Sequence, residues 1–190
     1  AEAIYEASKD SVGIEEGRKS ILLEIREILA SIEACERFIA GLEEEMSSRL
    51  KEIPAGKFIL SLKGIGLITT AGLIGEVGDF SKFHSIAEIT KLAGLDLFEI
   101  SSGKHKGNRR ISKRGRPLMR KFLYLAALNT VRKGGAMHER YQKYLQRGML
   151  KMKALVAVAR KILGILFSLV RNHSQYIMGY SKTQNLKEAA

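Results

Sequence analysis

The sequence is poor in cysteine, in proline and in long uncharged apolar runs. Cys35 is its one cysteine, which excludes an intrachain disulfide and fits a reducing cytoplasm. Two prolines in 190 residues and a hydrophobic content of 45% argue against a disordered chain. The most apolar run, residues 154–170, carries Arg160 and Lys161. A membrane-spanning helix needs about 20 apolar residues, so we expect a buried helix there and no membrane partner.

Acidic residues are absent from Ile100 to His138, a stretch with eleven Lys or Arg. The net charge of +12 is unevenly distributed: residues 1–53 hold 13 acids and 7 bases, whereas residues 54–190 hold 7 acids and 25 bases. An acidic arm joined to a basic body favours a polyanionic partner. The alternative is a generally soluble, cationic surface.

Within the acidic arm, residues 1–53, apolar side chains recur in steps of four and three. They are Ile21, Ile25, Ile28, Ile32, Cys35, Ile39, Leu42 and Met46, with Ile14 and Ile53 in phase. This alternation is typical of a left-handed coiled coil, although a helix pair or bundle would also cover the stripe. Because no glycine-rich reversal precedes Pro54, we expect a homo-oligomer formed through Ile14–Ile53. We assign Cys35 no chemistry.

The body, residues 54–180, is predicted to be a compact helical domain followed by a tail at 181–190, so the fold class is all-α. Core helices are expected at about 117–133, 137–147 and 151–172, after a basic loop at 101–116. In the first of these helices Leu118, Phe122, Leu125, Ala126 and Leu128 are expected to share the buried face. In the last, the predicted core positions are Leu155, Val158, Ile162, Ile165, Leu166 and Leu169.

A helix-hairpin-helix element is predicted at about 57–78, around the turn Gly64-Ile65-Gly66. Its second helix is expected at Leu67–Val77, and its predicted inward residues are Ile68, Ala71, Leu73 and Ile74. Gly64 and Gly66 would present backbone N–H groups at a helix N-terminus, which suits a phosphate oxygen, and Lys63 would add a charge. The alternative is a turn that serves packing alone.

The run SSGKHKGNRRISKRGRPLMRK, Ser101–Lys121, carries nine bases and no acid. The predicted phosphate-binding residues of this region are Lys104, Lys106, Arg109, Arg110, Lys113, Arg114, Arg116 and Arg120. The run has no aromatic residue, which favours contact with the nucleic-acid backbone over base stacking.

Ser102 stands among these bases, which could neutralise a phosphodiester during nucleophilic attack. A general base and a carboxylate pair are lacking nearby, and the four histidines have no ligand spacing, so no metal site is predicted in this chain. A polar loop serine is the commoner interpretation of such a residue.

The order of motifs adds a resemblance. GIGLITTAGLIGEVGDFSKF, KLAGL, SSG, GNRRISKRGRPLMRKFLYLAAL and ALVAVARKILGILFSLV resemble, over residues 58–176, the C-terminal domain of an insertion-sequence transposase family. That family includes IS110, IS116 and IS902 and the Piv-type DNA invertases. The ISKRG run and its spacing from SSG are the most specific part. Lysine stands before the first glycine of GIG, where many relatives have proline.

The resemblance implies that Ser102, not Ser101, attacks DNA and forms a covalent phosphoserine intermediate. It also implies a RuvC-like domain that holds Mg²⁺ on four acids, and in some members a structured guide RNA. These acids are missing here, so we expect a C-terminal fragment or a decayed copy that is inactive alone and DNA-associated in a prokaryotic cytoplasm. The alternative is a non-catalytic helix-hairpin-helix module that binds DNA or RNA and oligomerises.

Overall fold

The computed structural model describes residues 2–9, 17–99 and 109–179, and these residues are predominantly helical. The helices are α1 (Glu2–Lys9), α2 (Arg18–Glu52), α3 (Pro54–Leu60), α4 (Leu67–Val77), α5 (Ile86–Leu92), α6 (Pro117–Thr130), α7 (His138–Gln146) and α8 (Lys151–Arg171). A 3-10 turn covers Phe80–Lys82. The predicted all-α class with a long N-terminal helix is confirmed. Within the described ranges, no helix has the length and apolar character that crossing a membrane requires.

The chain divides into two compact units, Ala1–Glu44 and Glu45–Ala190. The first unit contains α1 and most of α2, and the apolar stripe of α2 is open to solvent. Its exposed members include Ile21, Ile25, Ile28, Ile32, Ile39 and Leu42. Ile14 lies outside the described residues. The coiled coil therefore stays a prediction, and the stripe has no covering within the chain's described residues.

The core of the second unit is built around α8. This helix packs against α3, α5, α6 and α7. Its fully buried side chains include Val158, Ile162, Leu163 and Leu166. Leu155 and Leu169 are also buried, as predicted, whereas Ile165 is half-buried. A helix with this many inward apolar residues is stabilised mainly by tertiary burial.

The buried face of α6 differs from the predicted one. Leu118 and Leu125 are 54% and 38% exposed, so their assignment to the core was wrong. The buried residues of α6 are Met119, Leu123, Ala126, Ala127 and Thr130. The face is rotated because α6 packs against both α4 and α8, and small residues allow the close approach.

Helix α4 begins and ends where the sequence predicts. Leu73 is buried, but Ile68 is 51% exposed, so its assignment to the inward face was wrong. A Cβ on Gly72 would overlap the ring of Phe122, which shows how closely α4 crosses α6. The side of α4 that carries Gly72 therefore faces the ring of Phe122 on α6.

A two-stranded antiparallel sheet interrupts the helical order. β1 (Leu97–Phe98) pairs with β2 (Arg110–Ile111), with Leu97 opposite Ile111 and Phe98 opposite Arg110. The basic run predicts a loop around Arg110 and no strand, so the strand pair is a difference from the prediction. Strands of two residues are too short to produce a periodic signal.

Candidate nucleic-acid interface

The segment Ile111–Arg116, which we call the ISKRGR segment, lies along the carboxyl end of α5 and the turn that follows it. Three backbone hydrogen bonds hold it there. The N–H of Ser112 donates to the carbonyl of Asp96, that of Lys113 to Gly94 and that of Arg116 to Leu92, each over 2.9 Å. The backbone of the segment is therefore fixed although most of its side chains are exposed.

Two glycines permit this close approach. Gly94 has a φ of +64°, in the left-handed region that favours glycine at a helix end. A Cβ on Gly115 would overlap the Leu92 carbonyl oxygen and come within 2.5 Å of the Gly94 nitrogen. No side chain fits between the two backbones, so glycine at 115 is a steric requirement of the site.

Two side chains support the same contact. The Oγ of Ser112 donates to a carboxylate oxygen of Asp96 over 2.5 Å. A terminal guanidinium nitrogen of Arg120 donates to the Ala93 carbonyl over 3.1 Å. Arg120 was predicted to bind phosphate; the structure places it half-buried on the α5 turn, where it stabilises the ISKRGR segment.

Lys113, Arg114 and Arg116 are exposed on the outer side of the segment. Lys113 has a φ of +55°, an uncommon conformation for a residue other than glycine. None of the three belongs to an ion pair found among the described residues. Six consecutive residues thus present three positive charges that no described carboxylate neutralises.

The strand pair brings together the two described residues that flank positions 100–108, Glu99 and Arg109. Arg109 and Glu99 form an ion pair of 2.8 Å next to the paired residues Phe98 and Arg110. The Arg109 side chain is 75% exposed, so water weakens the pair. Ser102, Lys104 and Lys106 lie outside the described residues, which end at Glu99 and begin again at Arg109.

Helix α5 is anchored at its N-terminus by a capping box. Ser85 Oγ accepts from the N–H of Glu88, and the Glu88 carboxylate accepts from the N–H of His84 over 2.9 Å and from Ser85 Oγ over 3.1 Å. The hydrogen bond from His84, aided by that from Ser85, lowers the pKa of Glu88. The cap thus fixes the helix whose other end carries the ISKRGR segment.

The predicted glycine turn lies between α3 and α4. Gly64 has a φ of +103°, and a Cβ there would come within 3.0 Å of the Thr130 methyl group at the end of α6. Gly66 is exposed, nothing lies within 4 Å of its Cβ position, and its helix α4 has no side-chain cap. Lys63 is exposed beside it. The first amide groups of α4 are therefore without intrahelical acceptors.

The structure does not gather all predicted residues into one patch. The glycine turn contacts the C-terminal end of α6, whereas the ISKRGR segment leads into its N-terminal end. Helix α6 has 14 residues, and a rise of about 1.5 Å per residue separates its ends by about 20 Å. The candidate interface consists of two separate contact points.

The described residues contain no cluster of three or more His, Cys, Asp or Glu side chains that could hold a metal ion. They do not fit the Mg²⁺ site that the resemblance implies. The resemblance assigns that site to a RuvC-like domain, and this assignment stays a prediction.

Sequence reasoning missed the structural roles of Asp96, Gly115 and Arg120. The partners of these residues are 16 to 27 positions away in the chain, beyond the reach of local periodicity. One usable signal is the pair Gly94 and Gly115, one on each side of residues 95–114, since glycines often mark close backbone approaches.

Residues 56–142 match the model of the transposase IS116/IS110/IS902 family. The chain is 24% identical over 173 residues to an insertion element IS110 uncharacterized 43.6 kDa protein of Streptomyces coelicolor, covering 91% of this chain and 43% of that one. It is 24% identical to an insertion element IS900 uncharacterized 42 kDa protein of Mycobacterium paratuberculosis, covering 93% of this chain and 44% of the relative.

A third relative is the transposase for insertion sequence element IS1111A of Coxiella burnetii, which is 28% identical over 146 residues. That similarity covers 74% of this chain and 40% of the relative. The chain thus spans less than half the length of the curated relatives it matches. Residues 56–142 therefore form a domain that matches the IS116/IS110/IS902 transposase family, and most of the chain is similar to insertion-element proteins.

Proposed function

We propose that this chain is the DNA-binding and nucleophile-bearing C-terminal segment of a transposase or site-specific recombinase. The observation that carries the proposal is the ISKRGR segment. Its backbone is fixed on α5, while three basic side chains, which form no ion pair among the described residues, face solvent. A rigid backbone lowers the entropy lost on binding a phosphate chain. The similarity to the transposase family favours DNA as the ligand, and the exposed positive charges can bind its phosphates.

In this proposal Ser102 is the nucleophile. Its Oγ forms a bond to phosphorus while the bond from phosphorus to one sugar oxygen breaks, which leaves a phosphoserine. The proton of the hydroxyl passes to a base of a RuvC-like domain, and the departing sugar oxygen takes up a proton. Reversal of the step with a second DNA end rejoins the strand, so the bond energy is conserved through the exchange.

The basic residues neutralise the charge that develops on the phosphate. Lys104 and Lys106 belong to the loop of Ser102, and Arg109 and Arg110 stand at its base next to the strand pair. Cationic donors near the reacting phosphate stabilise an anionic transition state. Lys113, Arg114 and Arg116 of the ISKRGR segment hold the flanking backbone, and Arg120 acts indirectly, through the Ala93 carbonyl.

The glycine turn provides the second contact. Lys63 and the amide groups after Gly66 suit one phosphate oxygen, as in a helix-hairpin-helix element. Because this turn and the ISKRGR segment lie at opposite ends of α6, they would contact phosphates about 20 Å apart. Two such contacts fix the orientation of a duplex as well as its affinity.

Three further parts belong to the whole enzyme in this proposal. A RuvC-like domain would hold Mg²⁺ on its own carboxylates, where the metal ion supplies Lewis-acid activation of a phosphate. A structured guide RNA is a candidate partner, and the stripe from Ile14 to Ile53 is the candidate oligomer contact. Without the RuvC-like domain we expect no strand exchange.

The test is a Ser102→Ala substitution in a protein in which this chain is joined to a RuvC-like domain from the family. We expect the covalent protein–DNA adduct, seen as a shifted band under denaturing conditions, to disappear while DNA binding persists. Ser101→Ala is the matched control and should retain the adduct. An adduct that survives Ser102→Ala would refute the assignment of the nucleophile.

The second candidate is a non-catalytic module that binds nucleic acid through the helix-hairpin-helix element. The uncapped start of α4 and the exposed Lys63 favour it. This candidate predicts salt-dependent binding in gel shifts and no adduct from any serine. Loss of binding on Lys63→Gln, with binding unchanged after substitution of the ISKRGR bases, would support it.

A further inference from the structure

A second basic surface lies between α7 and α8, on helices that carry none of the predicted nucleic-acid residues. Arg140, Lys143 and Arg147 line one side of a groove, and Lys161 of α8 also lines it. The groove has a volume of about 570 Å³ and is bounded at one end by the segment from Tyr176 to Gly179. We call it the α7–α8 groove.

Arg140 and Lys143 of α7, and Arg147 at its C-cap, have the spacing of one helix face, and we call them the α7 basic residues. Positions three and seven residues apart fall on the same side of an α-helix. Arg140, Lys143 and Arg147 are all exposed, as is Lys161. None of these four takes part in an ion pair found among the described residues. The groove therefore concentrates positive charge on one side of α7.

The charge is not balanced by nearby sequence. Glu139 is the one acid in residues 131–179, a stretch with ten Lys or Arg. Glu139 also lines the groove. Four bases against one acid leave a net positive lining, and a concave basic surface concentrates anions more strongly than a flat one.

The groove also contains aromatic side chains. Tyr144 and Tyr176 line it, and both are half-buried with part of each ring packed on the core. Met178 lines it as well and is 56% exposed. Tyrosine rings whose position is fixed by packing can stack on an unpaired base. The described residues of the Ser102 region, Arg109–Arg116, include no aromatic.

We propose that the α7–α8 groove binds an unpaired nucleic-acid strand. The phosphates of the strand contact Arg140, Lys143 and Arg147, and its nucleobases stack on Tyr144 and Tyr176. A duplex keeps its bases stacked inside, so it gains nothing from Tyr144 and Tyr176. The ISKRGR segment, which lacks aromatics, suits duplex backbone instead. The inference shares with the proposed function only the class of ligand, and each site can fail without the other.

The test compares two triple variants of the full chain. The groove variant loses three charges of the α7–α8 groove through Arg140→Gln, Lys143→Gln and Arg147→Gln. The control variant loses three exposed charges elsewhere through Lys51→Gln, Lys57→Gln and Lys82→Gln. Anisotropy titrations use fluorescein-labelled oligothymidylate, oligouridylate and a DNA duplex at several salt concentrations. Circular dichroism checks that both variants fold.

We expect the groove variant to lose about tenfold in affinity for single strands. The slope of log affinity against log salt concentration should fall in magnitude by about 2, because each of the three lost phosphate contacts contributes about 0.7. The Lys51, Lys57 and Lys82 variant should show a much smaller loss. Equal losses in both variants would mean that net charge alone matters and would overturn the proposal. Equal losses for duplex and single strands would overturn the assignment to an unpaired strand.

A second measurement tests the tyrosines. An oligonucleotide with 4-thiothymidine, irradiated on the wild-type chain, should crosslink to Tyr144 or Tyr176, as mapped by mass spectrometry. Crosslinks confined to the ISKRGR segment would contradict the groove. Comparison of the DNA and RNA oligonucleotides identifies the strand type. Loss of duplex binding in a triple variant with Lys113, Arg114 and Arg116 changed to Gln reports separately on the ISKRGR segment.

Discussion

At Gly115, a hydrogen atom in place of a methyl group is what lets the ISKRGR segment lie against α5. The Leu92 carbonyl oxygen occupies the space that a Cβ would need. The hydrogen bond from the N–H of Arg116 to that same carbonyl fixes the segment from the other side. The candidate interface therefore depends on a residue that carries no charge.

We predict that Gly115→Ala lowers the free energy of unfolding by about 1–3 kcal/mol, because the new methyl group forces two backbones apart. Urea unfolding followed by circular dichroism measures the change. The matched control is Gly75→Ala within α4, where nothing lies within 4 Å of the added Cβ. The control should raise stability by about 0.5–1 kcal/mol, since alanine favours helix. A neutral Gly115→Ala would show that the close approach is relaxed in solution.

Arg120 illustrates the limit of reading charge from sequence. Its place in a basic run favoured a phosphate contact, but its guanidinium lies on the Ala93 carbonyl, 27 positions away. Lys113 shows the opposite case: its charge is exposed as predicted, yet its left-handed backbone conformation could not be foreseen. Charge composition predicts that a region binds anions, whereas the fold decides which charges are free to do so.

At the scale of elements, the capping box of α5 gives a pH-dependent prediction. The pKa of Glu88 is lowered in the folded chain, so its contribution to stability is present above the unfolded pKa and is lost as pH falls through the folded pKa. We expect Glu88→Gln to be less stable than wild type near pH 7, with a difference that shrinks below about pH 4. Thermal unfolding at a series of pH values measures it.

Ser85→Ala tests the other half of the box. The Ser85 hydroxyl accepts from the N–H of Glu88 and also donates to the Glu88 carboxylate. Only the second contact depends on the ionisation of Glu88, so we expect a loss of stability of about 1 kcal/mol at neutral pH that decreases at acidic pH but does not vanish. A pH-independent difference for Glu88→Gln would mean that the carboxylate does not cap α5 in solution.

Element boundaries were the most predictable part of the fold. Helix α4 has the predicted bounds, and proline occupies the first position of α3 and of α6, where its fixed φ suits a helix start. Buried faces were less predictable. The run of apolar residues in α6 allows two faces, and packing of α4 and α8 selects Met119 and Leu123 over Leu118 and Leu125. The strand pair depends on contacts distant in sequence, so no local signal indicates it.

The same limit applies to the candidate site. The basic run and the glycine turn could be recognised in the sequence, because residue type alone suggests their chemistry. The role of Ser102 is implied by the family resemblance and stays a prediction. Residue type did not show that the turn and the ISKRGR segment lie at opposite ends of α6, nor that Lys161 and Tyr176 form a groove with the basic residues of α7. Both are consequences of how the helices pack, which residue type does not encode.

At the scale of the whole molecule, the apolar stripe of α2 is exposed along most of its length. Ile28 and Ile32 are 53% and 48% exposed. Water contact with such a stripe is unfavourable by about 25 cal/mol for each Å² of apolar surface. Association with a second copy would remove that surface from water.

We predict that the full chain has a mass above that of one chain by light scattering, and that Ile28→Glu with Ile32→Glu reduces it to that of one chain. Charges placed in a coiled-coil seam are desolvated without partners. Ala30→Glu with Ala34→Glu adds the same charge on the opposite face and is the control. A single-chain mass for wild type would exclude the oligomer contact, and equal dissociation by both variants would place it elsewhere.

The pairing of β1 with β2 has a topological consequence. Phe98 and Arg110 lie opposite each other, and the hydrogen bonds of Ser112, Lys113 and Arg116 extend the same seam. The peptide bonds between residues 99 and 109 are therefore not needed to bring the flanking halves together. A fragment that ends at Glu99 would carry β1 and α3–α5, and a fragment that begins at Arg109 would carry β2 and α6–α8. Co-expression of the two fragments should restore the fold, because α3–α5 pack on α6 and α8.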